Sequence, residues 1–176
     1  MPEPWEKWWC EARDCSAVAG EMLAAGRYSH ATFFAVQAME MAAKAMVAAP
    51  VTWDELASAS WEQASLYSWD QLATGMSPPR THDLEKILSV PWVQSSARED
   101  LLRHTRRLEQ SLGVRDRYMA ARYPDQWPED APPPSRVFSA DHAMSAMSAM
   151  GAWMYHCGQR FRKRSTPGPS STAASS

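Results

Sequence analysis

The chain has 176 residues, a formal net charge of -2 and 45% hydrophobic residues. That is enough for one domain with its own core, too apolar for wholesale disorder, and too close to neutral for general polyanion binding, so nucleic acid is not expected as a partner unless a local basic patch supplies the contact. No basic stretch followed by an apolar run opens the sequence, and no segment reaches the ~18 apolar residues of a membrane span, so the expectation is a soluble, cytoplasmic protein.

Trp5, Trp8, Trp9, Ala12, Ser16, Ala19, Met22 and Leu23 recur at steps of three and four, the stripe of an amphipathic helix, and Gly26 suits its C-terminal stop. A second helix is expected from about Tyr28 to Ala49, ended by Pro50; the short connection predicts an antiparallel hairpin. Thr52-Trp-Asp-Glu55 is a capping box that should open a shorter helix, with Trp53, Leu56, Trp61, Leu66, Trp69 and Leu72 as its apolar content and Gly75 and Pro78-Pro79 as its close. The layout of residues 53–95 is otherwise open. Thr81-His82-Asp83-Leu84 reads as a cap and one or two turns through Leu88. Ser96 to Glu99 is a second capping box opening a long helix, with Leu101, Leu102, Thr105, Leu108, Leu112 and Met119 inward and Arg103, Arg106, Arg107, Arg115 and Arg117 outward.

Arg122-Tyr-Pro124 ends that helix, because the residue before a proline is pushed out of the α region. Pro128 and Pro132 to Pro134 hold the following stretch extended. Ser139 is the expected N-cap of the last helix, with Met144, Met147, Met150, Met154 and Phe161 as its buried stripe and Arg160, Arg162, Lys163 and Arg164 complementing its dipole. The fold class is all-α: an antiparallel four-helix bundle over residues 1–164 with extra short helices in the middle, then a disordered Ser/Thr/Pro tail over 165–176.

Several pieces together resemble the HEPN domain family (higher eukaryotes and prokaryotes nucleotide-binding). They are Trp8-Trp9, Gly26-Arg-Tyr28, Gln37-Ala-Met-Glu40-Met-Ala-Ala-Lys44, Thr81-His-Asp-Leu84, and Tyr118-Met-Ala-Ala-Arg122-Tyr-Pro-Asp-Gln-Trp127-Pro followed by Phe138 and an alanine-rich helix. The last string is similar to the sacsin-like group, and the likeness runs from about residue 5 to 163. The resemblance implies a homodimer that binds a purine nucleotide, GTP or ATP, at a basic cleft, in a chaperone-associated setting or as part of a longer protein. Other branches of the family are ribonucleases, with an Arg and a His a few residues downstream, and many bacterial members sit beside a nucleotidyltransferase; a third reading is a protein-interaction bundle without a ligand.

Bound phosphate needs donors, and the sequence has neither a Walker A nor a G-x-G-x-x-G loop. Side chains must therefore supply them. Arg115, Arg117 and Arg122 offer guanidinium forks, Tyr123 a stacking ring, and Lys44 a cation from the second helix. Against this stand bland readings: Glu40 and Lys44 are an ordinary i,i+4 helix pair, and Arg122 ties the connection to a carboxylate such as Glu40. No required cofactor is expected. For RNA cleavage, Arg98 and His104 are the available weak alternative, a cation for phosphate and a proton-transfer group. His142, in the first turn of the last helix, is a surface histidine or a ligand contact, and His82 fixes a turn. The five histidines and three cysteines show no metal-ligand spacing, and Cys10, Cys15 and Cys157 are expected as reduced thiols.

Overall fold

The computed structural model describes residues 3–58, 65, 67–90, 93, 95–112 and 133–165. Its described part is all helical, with no strand. The helices are α1 (Pro4–Ala24), α2 (Tyr28–Ala48), α3 (Trp53–Ser58), α4 (Trp69–Thr74), α5 (Leu84–Ile87), α6 (Ser95–Leu112), α7 (Pro134–Val137) and α8 (Ala140–Ser165). The expected all-α bundle is therefore observed, with α1, α2, α6 and α8 as its long members.

Local chemistry explains the boundaries. Gly26, at φ 69°, takes the left-handed position after α1. The Arg27 amide then donates to Met22 O at 2.8 Å and the Gly26 amide to Leu23 O at 3.0 Å, the paired bonds of a Schellman stop. The chain turns straight into α2, which packs along α1 as the expected hairpin. At α3, the Glu55 amide donates to Thr52 Oγ1 at 3.3 Å and the Thr52 amide to Glu55 Oε2 at 2.9 Å, completing the capping box read from the sequence. In the stretch after Thr52, expected as a peripheral helix or an ordered insertion, the described residues include two short helices, α3 and α4. Ser68 starts the second by capping Gln71, a box hidden in a stretch of loose periodicity.

Helix α2 is the centre of the fold. From Ala38 to Ala49 every residue is buried, so this helix is covered on all sides rather than along one stripe. Alanines dominate the run and let α1 and α8 approach closely. The buried stripe of α8 is Ala143, Ala146, Met150, Trp153, Cys157 and Phe161. This corrects one expectation: Met144 is 60% exposed, because the small Ala143 beside it marks the packed face. Trp153 is fully buried and its indole Nε1 donates to Leu101 O at 3.0 Å, which joins α8 to α6 and satisfies the ring's polar atom. Trp53, expected to add apolar content, is instead exposed.

Arg160 also departs from expectation. Instead of facing solvent at the end of its own helix, it reaches the C-terminus of α2. Its Nη1 donates to the Met46 carbonyl, its Nη2 to the Pro50 carbonyl at 3.4 Å, and its Nε and Nη2 meet the Glu55 carboxylate at 2.5 and 3.1 Å. One guanidinium thereby satisfies carbonyls that a helix end leaves without intrahelical partners. Ser139 does cap α8: the His142 amide donates to Ser139 Oγ at 3.4 Å, and His142 Nδ1 accepts from the Ser139 amide at 3.2 Å. His142 thus acts as the third residue of a capping box.

Candidate functional site

The α1–α2 hairpin brings Trp8, near the start of α1, against Lys44, near the end of α2. Lys44 Nζ lies 5.3 Å from the centroid of the Trp8 ring. It also forms a 2.6 Å ion pair with Glu40 Oε1, one turn back on α2. The pair was legible as an i,i+4 pairing, but its burial was not: the two side chains are only 11% and 5% exposed. Burying two opposite charges is tolerable only where geometry and further hydrogen bonds are good. The second Glu40 oxygen supplies one, with His82 Nδ1 at 2.8 Å. His82, expected to fix its own turn, instead joins the segment before α5 to the middle of α2. That turn is held by Asp83, whose carboxylate accepts from the amides of Glu85 and Lys86.

Lys44 opens on its other side into a groove of about 650 Å³. Trp8 stands at one wall, and the segment from Thr74 to Arg80 forms the other. Gly75 sets the position of that segment. It has φ 82°, and a Cβ there would fall 1.9 Å from the Ala48 carbonyl oxygen. Only glycine lets the backbone pass so close to the end of α2. The Met76 amide donates to Val47 O at 3.3 Å and the Val51 amide to Leu72 O at 2.8 Å, which pins the segment on both sides. Among the described lining residues Lys44 and Arg80 are cationic and none is acidic. The arrangement offers two cations and an aromatic face to a ligand of anionic and planar character.

Of the residues singled out from sequence for nucleotide binding, the structure places Lys44 in this groove. Arg115, Arg117, Arg122 and Tyr123 lie outside the described residues, as do Met119 and the side chains of Leu108 and Leu112. The carboxylate suggested for Arg122, Glu40, already holds Lys44 and His82. Arg98 and His104 are both half-buried on α6. Six helical positions separate them by about 9 Å along the axis and about 120° around it, so one helix does not bring the two to a single point. Trp8, Gly75 and Arg80 were not singled out as site residues. The available signal was the Gly75-to-Arg80 stretch, where a glycine and two prolines fix a backbone immediately before an arginine.

The thiols are poor nucleophiles where they are buried. Burial pushes Cys157 up to about 12 and Cys15, with help from Glu11 and Asp14, up to about 11. No group of three His, Cys, Asp or Glu side chains suited to a metal occurs among the described residues. No described helix is long and apolar enough to cross a membrane.

The bundle is thus an all-α module whose polar site is built on its first hairpin. A comparison with family models identifies a HEPN domain at residues 5–51, the segment that comprises α1, α2 and the turn between them. Trp8, Glu40 and Lys44 fall inside the match; Gly75, Arg80 and His82 lie beyond it. No curated protein and no solved structure matches the chain.

Proposed function

We propose that this chain is a non-catalytic HEPN module of the sacsin-like type, which binds a purine nucleotide and works as a cytoplasmic homodimer. The observation that carries the binding reading is the groove: Lys44 at its floor, Trp8 beside it and Arg80 at its rim, with no described acidic residue in the lining. Its volume lies in the range of small-ligand sites. An ammonium has three donors, and Glu40 engages one, holding Lys44 in place while others remain for phosphate oxygen. Arg80 adds a guanidinium fork for a second phosphate. Trp8 gives a partly exposed ring for stacking. Homodimerisation and any link to chaperone machinery rest on the sequence resemblance.

Calorimetric titration of GTP and ATP into the purified chain tests the reading, with sedimentation to establish the oligomeric state. Saturable binding is expected, weakened about tenfold by Arg80→Ala, the equivalent of one charge-assisted hydrogen bond. Arg80 is exposed, so the variant should retain the native circular dichroism spectrum. No heat with either nucleotide, or unchanged affinity in both Arg80→Ala and Trp8→Leu, would remove the groove from consideration.

A further inference from the structure

A second groove, of about 830 Å³, runs between the first half of α1 and the last half of α8. Its apolar surface is aromatic. Trp5 stacks on Phe161 with ring centroids 4.6 Å apart and planes 16° from parallel, Trp9 meets the same ring at 5.0 Å, and Tyr155 adds a ring that is 66% exposed. Rings anchored on one side by packing and open on the other are the usual centre of a protein contact.

The charges around these rings say what kind of occupant fits. Among the described lining residues Lys7, Arg13 and Arg162 are cationic and Glu6 is acidic, and Arg162 Nε already donates to Gly158 O at 3.4 Å. The Glu6 carboxylate accepts from the Glu3 amide at 2.9 Å as part of the α1 cap. The groove is therefore positive on a chain whose net charge is -2. A second copy placed symmetrically here would bring its own Lys7 and Arg13 into the same groove, an unfavourable juxtaposition of like charge. Nucleic acid needs cations spaced along a backbone track, and Lys7 and Arg13 beside a compact aromatic floor do not form one.

We propose that this groove docks a short acidic segment of another protein, with aromatic or leucine side chains seated on the Trp5, Trp9 and Tyr155 rings, which Phe161 supports from beneath, and Asp or Glu side chains facing Lys7 and Arg13. The site is separate from the Lys44 groove, and its occupancy does not depend on nucleotide binding.

Cys10 provides a local reporter, because it lines this groove and is the exposed thiol of the three. A random peptide library displayed on phage is selected on the folded chain and counter-selected on the Lys7→Glu/Arg13→Glu variant, whose changes fall at exposed positions. The expected result is enrichment of acidic sequences with aromatic or leucine anchors that the variant does not retain. A synthetic peptide of the selected sequence should slow Cys10 alkylation to roughly a tenth at about ten times its Kd. Failure to enrich, enrichment of neutral or basic sequences, or unchanged Cys10 alkylation would overturn the proposal. So would protection of Cys10 by a single-stranded RNA oligonucleotide in place of the peptide. A change in sedimentation caused by Lys7→Glu/Arg13→Glu would assign the groove to a second copy and overturn it as well.

Discussion

His82 Nδ1 stands 2.8 Å from Glu40 Oε2, across 42 residues of sequence, while the other oxygen of the same carboxylate holds Lys44 at 2.6 Å. Glu40 is thus the shared partner of two basic side chains, one buried and one at the surface. Glu40→Gln leaves the Lys44 ammonium buried without its counter-charge and should destabilise the fold by about 3–5 kcal/mol. Adding Lys44→Met to Glu40→Gln should recover much of the loss, because the uncompensated charge is then gone. Urea denaturation of the single and double variants measures this, and strictly additive losses would contradict the coupling.

The Arg160 clamp predicts a different pattern. Arg160→Ala should cost about 3 kcal/mol, because Glu55 and the α2 carbonyls lose a partner at a largely buried position. Arg160→Lys should restore little of it, since an ammonium cannot reproduce the planar fork that spans Glu55, Met46 and Pro50 at once. Chemical denaturation distinguishes the two. Full rescue by lysine would mean that charge alone accounts for the interaction.

Thr32 offers a gain. Its Oγ1 is the buried side-chain oxygen without a hydrogen-bond partner among the described residues, on a residue with no exposed surface. Thr32→Val keeps the shape and removes the buried hydroxyl, so stability should rise by about 1 kcal/mol. A lower melting temperature in the valine variant would show that the hydroxyl is satisfied in solution.

The thiols predict both a reactivity order and an alkaline limit. A thiol-reactive reagent should modify Cys10 quickly and Cys15 and Cys157 only on unfolding. Burial raises Cys157 from 9.0 to about 12. In the unfolded chain the thiol ionises first, so stability gained by keeping it neutral is complete below pH 9.0 and is lost as pH rises through about 12. Cys157→Ala should therefore flatten the fall in melting temperature on the alkaline side. An unchanged slope would count against this account.

The sequence showed the hairpin because its signals are local: a stripe at helical spacing, a glycine stop and a proline end. The caps at Thr52 and Ser139 were legible for the same reason. Its miss at Met144 has a physical source. Large side chains at helical spacing suggest the buried face of α8, whereas close helix packing is marked by small ones, Ala143 and Ala146. The Glu40–Lys44 pair could be read as a pair, but its burial depends on what covers α2, and that covering comes from distant residues. His82 could not be matched to Glu40, nor Arg160 to Met46 and Glu55, because no periodicity reports a contact across 42, 114 or 105 residues. Arg80 and Trp8 became a site only once Gly75 had brought the Thr74–Arg80 segment against the end of α2.

The envelopment of α2 bears on where this fold can be cut. The HEPN match ends at residue 51, yet the core cluster to which α2 belongs also takes in Leu72, Leu84, Ile87, Trp153 and Phe161, all further along the chain. A recombinant piece stopping near residue 51 would present alanine and methionine surfaces to water and retain the Glu40–Lys44 pair with no His82 to complete it. The stretch that the HEPN model matches is therefore the interior of a larger packed unit, and swapping or grafting it alone would transplant a core without its shell.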